Sequence, residues 1–238
     1  ALVDIELARA LRDECYDVWR SEPIRSQNAD RAMRLMLESL EGREAKAIAD
    51  WLHGIAELTS GRLETSLNAL LSAAKLYRSV GDKLRSAEST VAALIPLAML
   101  GRYTEAFGHG KRALKVLDAA GSELTAGKVE LNLSNIAARL GRYEEAERLA
   151  LKARGRFNSL GDPRLAAMAE NGLGITFTDL GRFEDAAAAF VRALELARKA
   201  ESEVTLAEAE ASLAILCRLR GDLVKARSYF EMSRERFE

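Results

Sequence analysis

Five short segments recur along the chain without slippage: Gly61-Arg62-Leu63, Gly101-Arg102-Tyr103, Gly141-Arg142-Tyr143, Gly181-Arg182-Phe183 and Gly221-Asp222-Leu223, each 40 residues after the last. A fixed period of about 20–50 residues marks a stacked array, because so small a unit must cover its apolar face with its neighbours. Such a chain works through an extended surface rather than an enclosed pocket. The half-period is punctuated too. Gly81-Asp82, Gly121-Ser122 and Gly161-Asp162 lie midway, and Glu201-Ser202 takes the same place in the last copy.

Between these stops, apolar residues return at helical spacing. Leu131, Leu133, Ile136, Ala137 and Leu140 form one set; Ala186, Ala189, Phe190, Ala193, Leu194 and Ala197 form another. Gly after such a run suits a left-handed helix end, and the Asp or Ser beside it suits an N-cap. Pro163 stands at a first helical position, where its missing N–H costs nothing. Each half-period therefore reads as one helix and its turn, and each full period as an antiparallel helix pair.

The expected organisation is a single array over 1–238, with repeats 41–80, 81–120, 121–160, 161–200 and 201–238. Residues 1–40 read as a degenerate copy, in which Ser21-Glu22-Pro23 replaces the Gly-Arg turn and Glu41-Gly42 marks the end. About twelve helices and no second domain follow from this count. Pro96, inside the first helix of its repeat, removes an N–H and predicts a local kink. Ala1-Leu2-Val3 reads as helix already, and the last helix reaches Phe237-Glu238 with no polar capping helix. Terminal repeats normally carry a polar outer face, so we expect a fragment of a longer protein.

Hydrophobic residues make up 48% of the chain and aromatics only 6%, a mix that suits closely packed helices. Net charge is −1, which gives no support for a nucleic-acid binder. No apolar run is long enough to span a bilayer, and no signal-peptide pattern opens the chain. Cys15 and Cys217 lie in different repeats without metal-type spacing and read as two reduced thiols of a cytoplasmic protein.

Aligning the copies gives columns. Ser66, Ala106, Ala146, Ala186 and Ala226 form one; Ala73, Ala113, Ala153, Ala193 and Ser233 a second; Gly54, Leu94, Ser134, Gly174 and Ala214 a third. Small residues there let helices approach closely. Between the first two lies Leu70, Gly110, Ala150, Phe190 and Phe230, bulky in three copies. With Leu173-Gly174, Leu180 to Ala186, Phe190 and Ala193, these columns resemble the tetratricopeptide repeat (TPR), whose usual unit is about 34 residues. The resemblance implies an all-α fold: a right-handed superhelical TPR-like α-solenoid of antiparallel helix pairs. The aromatic column of the first helix is kept only in part, as Glu57, Leu97, Ala137, Phe177 and Cys217. The longer unit and Leu131-Asn132-Leu133-Ser134-Asn135 are similar to LGN-type polarity adaptors, which implies an extended peptide ligand. Leu94 to Ala106, Leu131 to Ala146 and Leu219 to Asp222 resemble arrays that precede a CHAT domain in bacterial proteins. That likeness covers roughly 45–238 and implies a caspase-like effector downstream in the same polypeptide.

The TPR resemblance also implies that first helices line a concave face. Lys128, Asn132, Asn135 and Arg139 share one stripe of one helix. The resemblance places Asn132 and Asn135 at or beside positions that contact a peptide backbone, a task an amide suits because it both donates and accepts. Lys128 and Arg139 could take a carboxylate. A solvated polar face is the plainer alternative. Ile55, Ile95, Ile175 and Ile215 share the column of Asn135 and could form an apolar trough, extended by Met99 and Thr59, or else pack between helices. Asn171 completes the set of candidate peptide contacts. Arg62, Arg102, Arg142 and Arg182 sit at helix ends, where a cation meets the negative end of the dipole.

No catalytic or metal-binding constellation and no cofactor motif is legible. Gly108-His109-Gly110-Lys111-Arg112 lacks the upstream Gly and the Ser/Thr of a phosphate loop. Gly172-Leu173-Gly174 lies mid-helix without a strand before it. His53 and His109 have no carboxylate or Cys at ligand spacing. The expected function is a non-catalytic scaffold that binds a protein or extended peptide on its concave face, as the sensing region of a larger protein such as a TPR-CHAT protease. The alternative is the ligand-sensing or oligomerising TPR region of a bacterial transcription regulator.

Overall fold

The computed structural model describes residues 4–19 and 22–237. Ala1-Leu2-Val3, Ser21 and Glu238 lie outside the described residues. Among the described residues there are twelve α-helices and no strand: α1 (Ile5–Val18), α2 (Pro23–Met36), α3 (Arg43–Thr59), α4 (Leu63–Ser79), α5 (Lys83–Met99), α6 (Tyr103–Ala119), α7 (Glu123–Arg139), α8 (Tyr143–Ser159), α9 (Pro163–Asp179), α10 (Phe183–Lys199), α11 (Glu203–Leu219) and α12 (Leu223–Phe237). The fold is an all-α, TPR-like solenoid of antiparallel helix pairs. It divides into two compact units, Ala1–Gly121 and Ser122–Glu238. Within each unit a helix packs on the next one in sequence, and first helices also touch first helices, as α1 and α3, α3 and α5, α7 and α9, and α9 and α11 do.

One turn closes the helices from α3 onward. The glycine after the helix takes positive φ, between 66° at Gly121 and 86° at Gly81. The next residue then donates its N–H to the carbonyl five positions back: Arg62 to Glu57, Asp82 to Tyr77, Arg142 to Ala137 and Arg182 to Phe177, at 2.8 to 3.0 Å. That bond satisfies a terminal carbonyl, and the following helix starts at once. Glu201 holds this position without glycine and still adopts φ 50°. The expected N-caps form at Asp82 and Asp162, which accept from the backbone N–H of Arg85 (2.8 Å) and Leu165 (2.9 Å); Ser122 makes no such bond. Helix α5 runs unbroken through Pro96, which is buried.

The repeated arginines stand just past the C-terminal ends of the first helices, as expected, but belong equally to the helices that follow. They are N-caps of second helices, where the dipole is positive, and their side chains seek carboxylates or a ring. Arg62 pairs with Glu57, Arg102 with Glu105 at 2.9 Å, and Arg182 with Asp185 at 2.8 Å and Glu147 at 3.0 Å. Arg182 also lies 4.3 Å above the Phe177 ring, in the column that Glu57 occupies three copies earlier. His53, expected to lack a carboxylate, has Asp30 at 3.5 Å and Glu57 at 3.9 Å; Arg34 contacts its Nδ1 at 2.8 Å and helps balance that charge.

Close packing within a pair is a shared volume. A Cβ on Gly54 would sit 2.6 Å from Leu70 Cγ, and one on Gly174 would overlap the Phe190 ring. Where the small column holds Leu94, the bulky column holds Gly110, and Ser134 is matched by Ala150. In three of these four pairs a large residue faces a small one, and in the pair of Ser134 and Ala150 both are small.

Two stability outcomes follow. Gly174→Ala forces the Phe190 ring aside and is expected to cost about 1–3 kcal/mol. Glu201→Gly relieves a left-handed conformation that costs an L-residue roughly 1–2 kcal/mol and is expected to raise stability. Urea midpoints of the two variants, moving in opposite directions from wild type, check both.

Candidate functional site

In the second unit, α7, α9 and α11 border a groove of about 510 Å³. Leu131 and Asn135 come from α7, Asn171 and Ile175 from α9, and Ala211 and Ser212 from α11, with Gly172 at the centre of the floor. Gly172 carries no side chain to fill the space. A Cβ there would lie 3.4 Å from Leu131 Cδ1 and 3.7 Å from Asn135 Oδ1. Asn135 is exposed, whereas Asn171 is only partly so. The Asn171 Oδ1 is buried and accepts no hydrogen bond from any described residue. A buried acceptor in this state costs about 1–3 kcal/mol until a donor reaches it.

Of the candidates read from sequence, Asn135, Asn171 and Ile175 come together at this groove. Asn132 and Lys128 lie on the same helix and are half-buried, outside its lining, and Arg139 is exposed at the helix end. Ile215 is 43% exposed, one turn from Ser212. Ile95 and Met99 lie on α5 of the first unit, where Ile95 is half-buried and Met99 is 63% exposed. The isoleucine column splits: Ile55 is fully buried core, while Ile175 and Ile215 face out. Met168, Glu208 and Ala211 were missed. Met168 and Glu208 share the column of Lys128, so carrying the α7 stripe forward by one and two periods would have found them; Ala211 lies in the column of Leu131, outside that stripe.

A second column, also missed, holds the groove helices in place. Glu130, Glu170 and Glu210 project from α7, α9 and α11 and are 1%, 3% and 0% exposed. Arg156 of α8 reaches Glu130 at 2.9 Å and Glu123 at 2.5 Å. Arg236 of α12 repeats this on Glu210 and Glu203 at 2.9 and 2.5 Å. Leu196 stands at the intervening position, and Glu170 instead takes Arg154 at 3.1 Å and Arg192 at 3.0 Å. Each inner helix is thereby tied to its outer neighbours by charge as well as by packing. No helix among the described residues is long and apolar enough to cross a membrane.

Residues 125–199 and 165–238 match the tetratricopeptide repeat family. The second unit is built of tetratricopeptide repeats. Solved TPR-like structures share the fold over most of the chain. NprR in complex with its cognate peptide NprX aligns with TM-score 0.75 at 14% identity, covering 98% of this chain and 68% of NprR. Aspartyl phosphate phosphatase F from Bacillus subtilis aligns with TM-score 0.73 at 15% identity, over 94% of this chain and 68% of that one. The apo form of RapI aligns with TM-score 0.70 at 17% identity over 88% of this chain, which spans only 59% of RapI. No curated protein sequence matches the chain.

The charge column carries a stability outcome. Arg156→Met takes a paired guanidinium from Glu130, buried to 1% exposure, and is expected to cost about 3–5 kcal/mol. Adding Glu130→Met should recover most of the loss, because two well-packed apolar groups replace the pair. Urea unfolding of the single and double variants measures both.

Proposed function

We propose that the chain is a non-catalytic scaffold that binds an extended peptide or protein segment in the groove between α7, α9 and α11. The observation that carries this reading is the buried, unpartnered Asn171 Oδ1 beside the exposed Asn135 amide, over a floor opened by Gly172. A peptide backbone supplies what that pair lacks, an N–H for Asn171 and a carbonyl for the Asn135 amide. Ile175 and Ile215 offer apolar contact for side chains that leave the strand on the same side. Arg139, exposed and without an ion pair among the described residues, favours an acidic residue near one end of the peptide. The solved complex of NprR with its peptide supports a peptide as the ligand class for this fold. In this reading the array is the cytoplasmic sensing region of a larger protein, and an attached effector such as a CHAT protease reads the bound state.

Peptides selected from a random displayed library on the immobilised protein test the site. Calorimetric titration of a selected peptide should show that Asn135→Ala and Asn171→Ala each weaken binding by about 1 kcal/mol or more. Asn135→Ala should keep the wild-type melting temperature, Asn171→Ala should keep or raise it because a buried unpaired acceptor is removed, and Arg148→Ala, on an outer helix, should leave affinity unchanged. Wild-type affinity in both Asn variants would return the stripe to a solvated face.

A further inference from the structure

A cleft of about 750 Å³ opens in the first unit between α4, α5 and α6. Its floor is apolar, with Leu71, Ala87 and Val116. Its rim carries Lys75 and Arg78 of α4, Lys83 of α5 and Arg112 of α6, all exposed. None of these four cations has an ion pair among the described residues, and no carboxylate lines the cleft. His109 is half-buried in the wall, and burial, then Arg112, hold its pKa below the usual value, so the ring stays neutral near pH 7. The nearest acid is Glu105, 3.8 Å from His109 Nε2 and already paired with Arg102. The chain as a whole is balanced, with 35 basic and 36 acidic residues, so this excess is local.

The repeats themselves show what is different here. In two other copies the acid on the first helix takes a partner from the second helix 22 positions on: Asp50 accepts from Ser72 at 2.6 Å, and Glu170 pairs with Arg192 at 3.0 Å. At the same two positions this copy has Thr90 and Arg112. The Thr90 hydroxyl donates to its own helix, to the Ser86 carbonyl at 2.9 Å. The guanidinium is kept while its internal carboxylate is gone. A cation in that state, grouped with three more around an apolar floor, is arranged for an anion from outside.

We propose that this cleft binds a small molecule carrying two or more phosphate groups. Its volume falls within the roughly 300–1,000 Å³ of small-molecule sites, and three helices bound it, which suits a compact ligand better than an extended acidic chain. Arg78 and Arg112 present planar forks to phosphate oxygens, Lys75 and Lys83 add point charge, and the apolar floor receives the rest of the ligand. This site is independent of the peptide groove and lies wholly within the first unit.

Calorimetric titration of the whole chain with sodium tripolyphosphate and, separately, with adenosine triphosphate tests the proposal. We expect saturable one-to-one binding that weakens as salt rises. Tighter binding of the nucleotide supports the site and assigns the floor to its organic part; equal affinities support the site as one for inorganic polyphosphate. The double variant Lys75→Gln/Arg78→Gln changes only exposed side chains and should lose about tenfold or more in affinity at an unchanged melting temperature. Thr90→Glu, which restores the acid of the other copies beside Arg112, should lose a similar factor. Absence of saturable binding, or wild-type affinity in the double variant, would overturn the site. Poly-glutamate competing more strongly than tripolyphosphate would replace the small phosphate ligand with an acidic protein segment.

Discussion

Reversing a helix within two residues requires one position in the left-handed region, and the rest of this fold depends on it. The N–H two positions past the helix must swing back to a carbonyl inside it, which demands positive φ at the residue between. Glycine reaches that conformation at almost no cost, and it stands there at Gly61, Gly81, Gly101, Gly121, Gly141, Gly161, Gly181 and Gly221. Because the glycine turns within each unit share this geometry, the columns of the repeat stay in register along it. Glu201 shows that the register is enforced by packing as well: a non-glycine residue is held at φ 50° because the helices on both sides are already placed.

Once the turns set the register, two kinds of pairing hold the helices together. One is steric. Gly54 against Leu70 and Gly174 against Phe190 let a large side chain of the second helix occupy space that a Cβ on the first would need. The other is electrostatic. Glu130, Glu170 and Glu210 would be costly alone in the core, and each is neutralised by arginines from adjacent helices. When Leu196 occupies the position used by Arg156 and Arg236, Arg154 and Arg192 take over. The charge requirement is therefore stricter than the identity of any one partner.

Both proposed sites lie where the repeated pattern is relaxed. Gly172 removes a side chain from the inner face and opens a groove beside two amides. Thr90 removes a carboxylate from the outer side of the first unit and releases Arg112. In both places the scaffold remains intact because the turns and the steric columns are untouched. Binding features can thus be written onto single copies of a repeat while the neighbouring copies keep the framework rigid.

The sequence alone determined the helix boundaries and their pairing, because the Gly-Asp and Gly-Arg stops are local chemistry and need nothing from the rest of the chain. It also marked Gly174 as a close-approach position and grouped Asn135, Asn171 and Ile175, which line one groove, since helical phase and period suffice for that. What it left open depended on contacts across helices. The isoleucine column looked uniform, yet Ile55 is core and Ile175 is exposed, because exposure depends on what the adjacent helices present. Glu130, Glu170 and Glu210 carried no signal in the sequence, since their arginines stand 16 to 26 residues away. The repeated arginines take some carboxylate partners a turn away, as Arg102 takes Glu105, but the Glu147 partner of Arg182, 35 residues distant, was visible only in the tertiary structure. Local conformation is encoded in neighbouring residues, whereas burial and charge pairing belong to the three-dimensional arrangement that those conformations create.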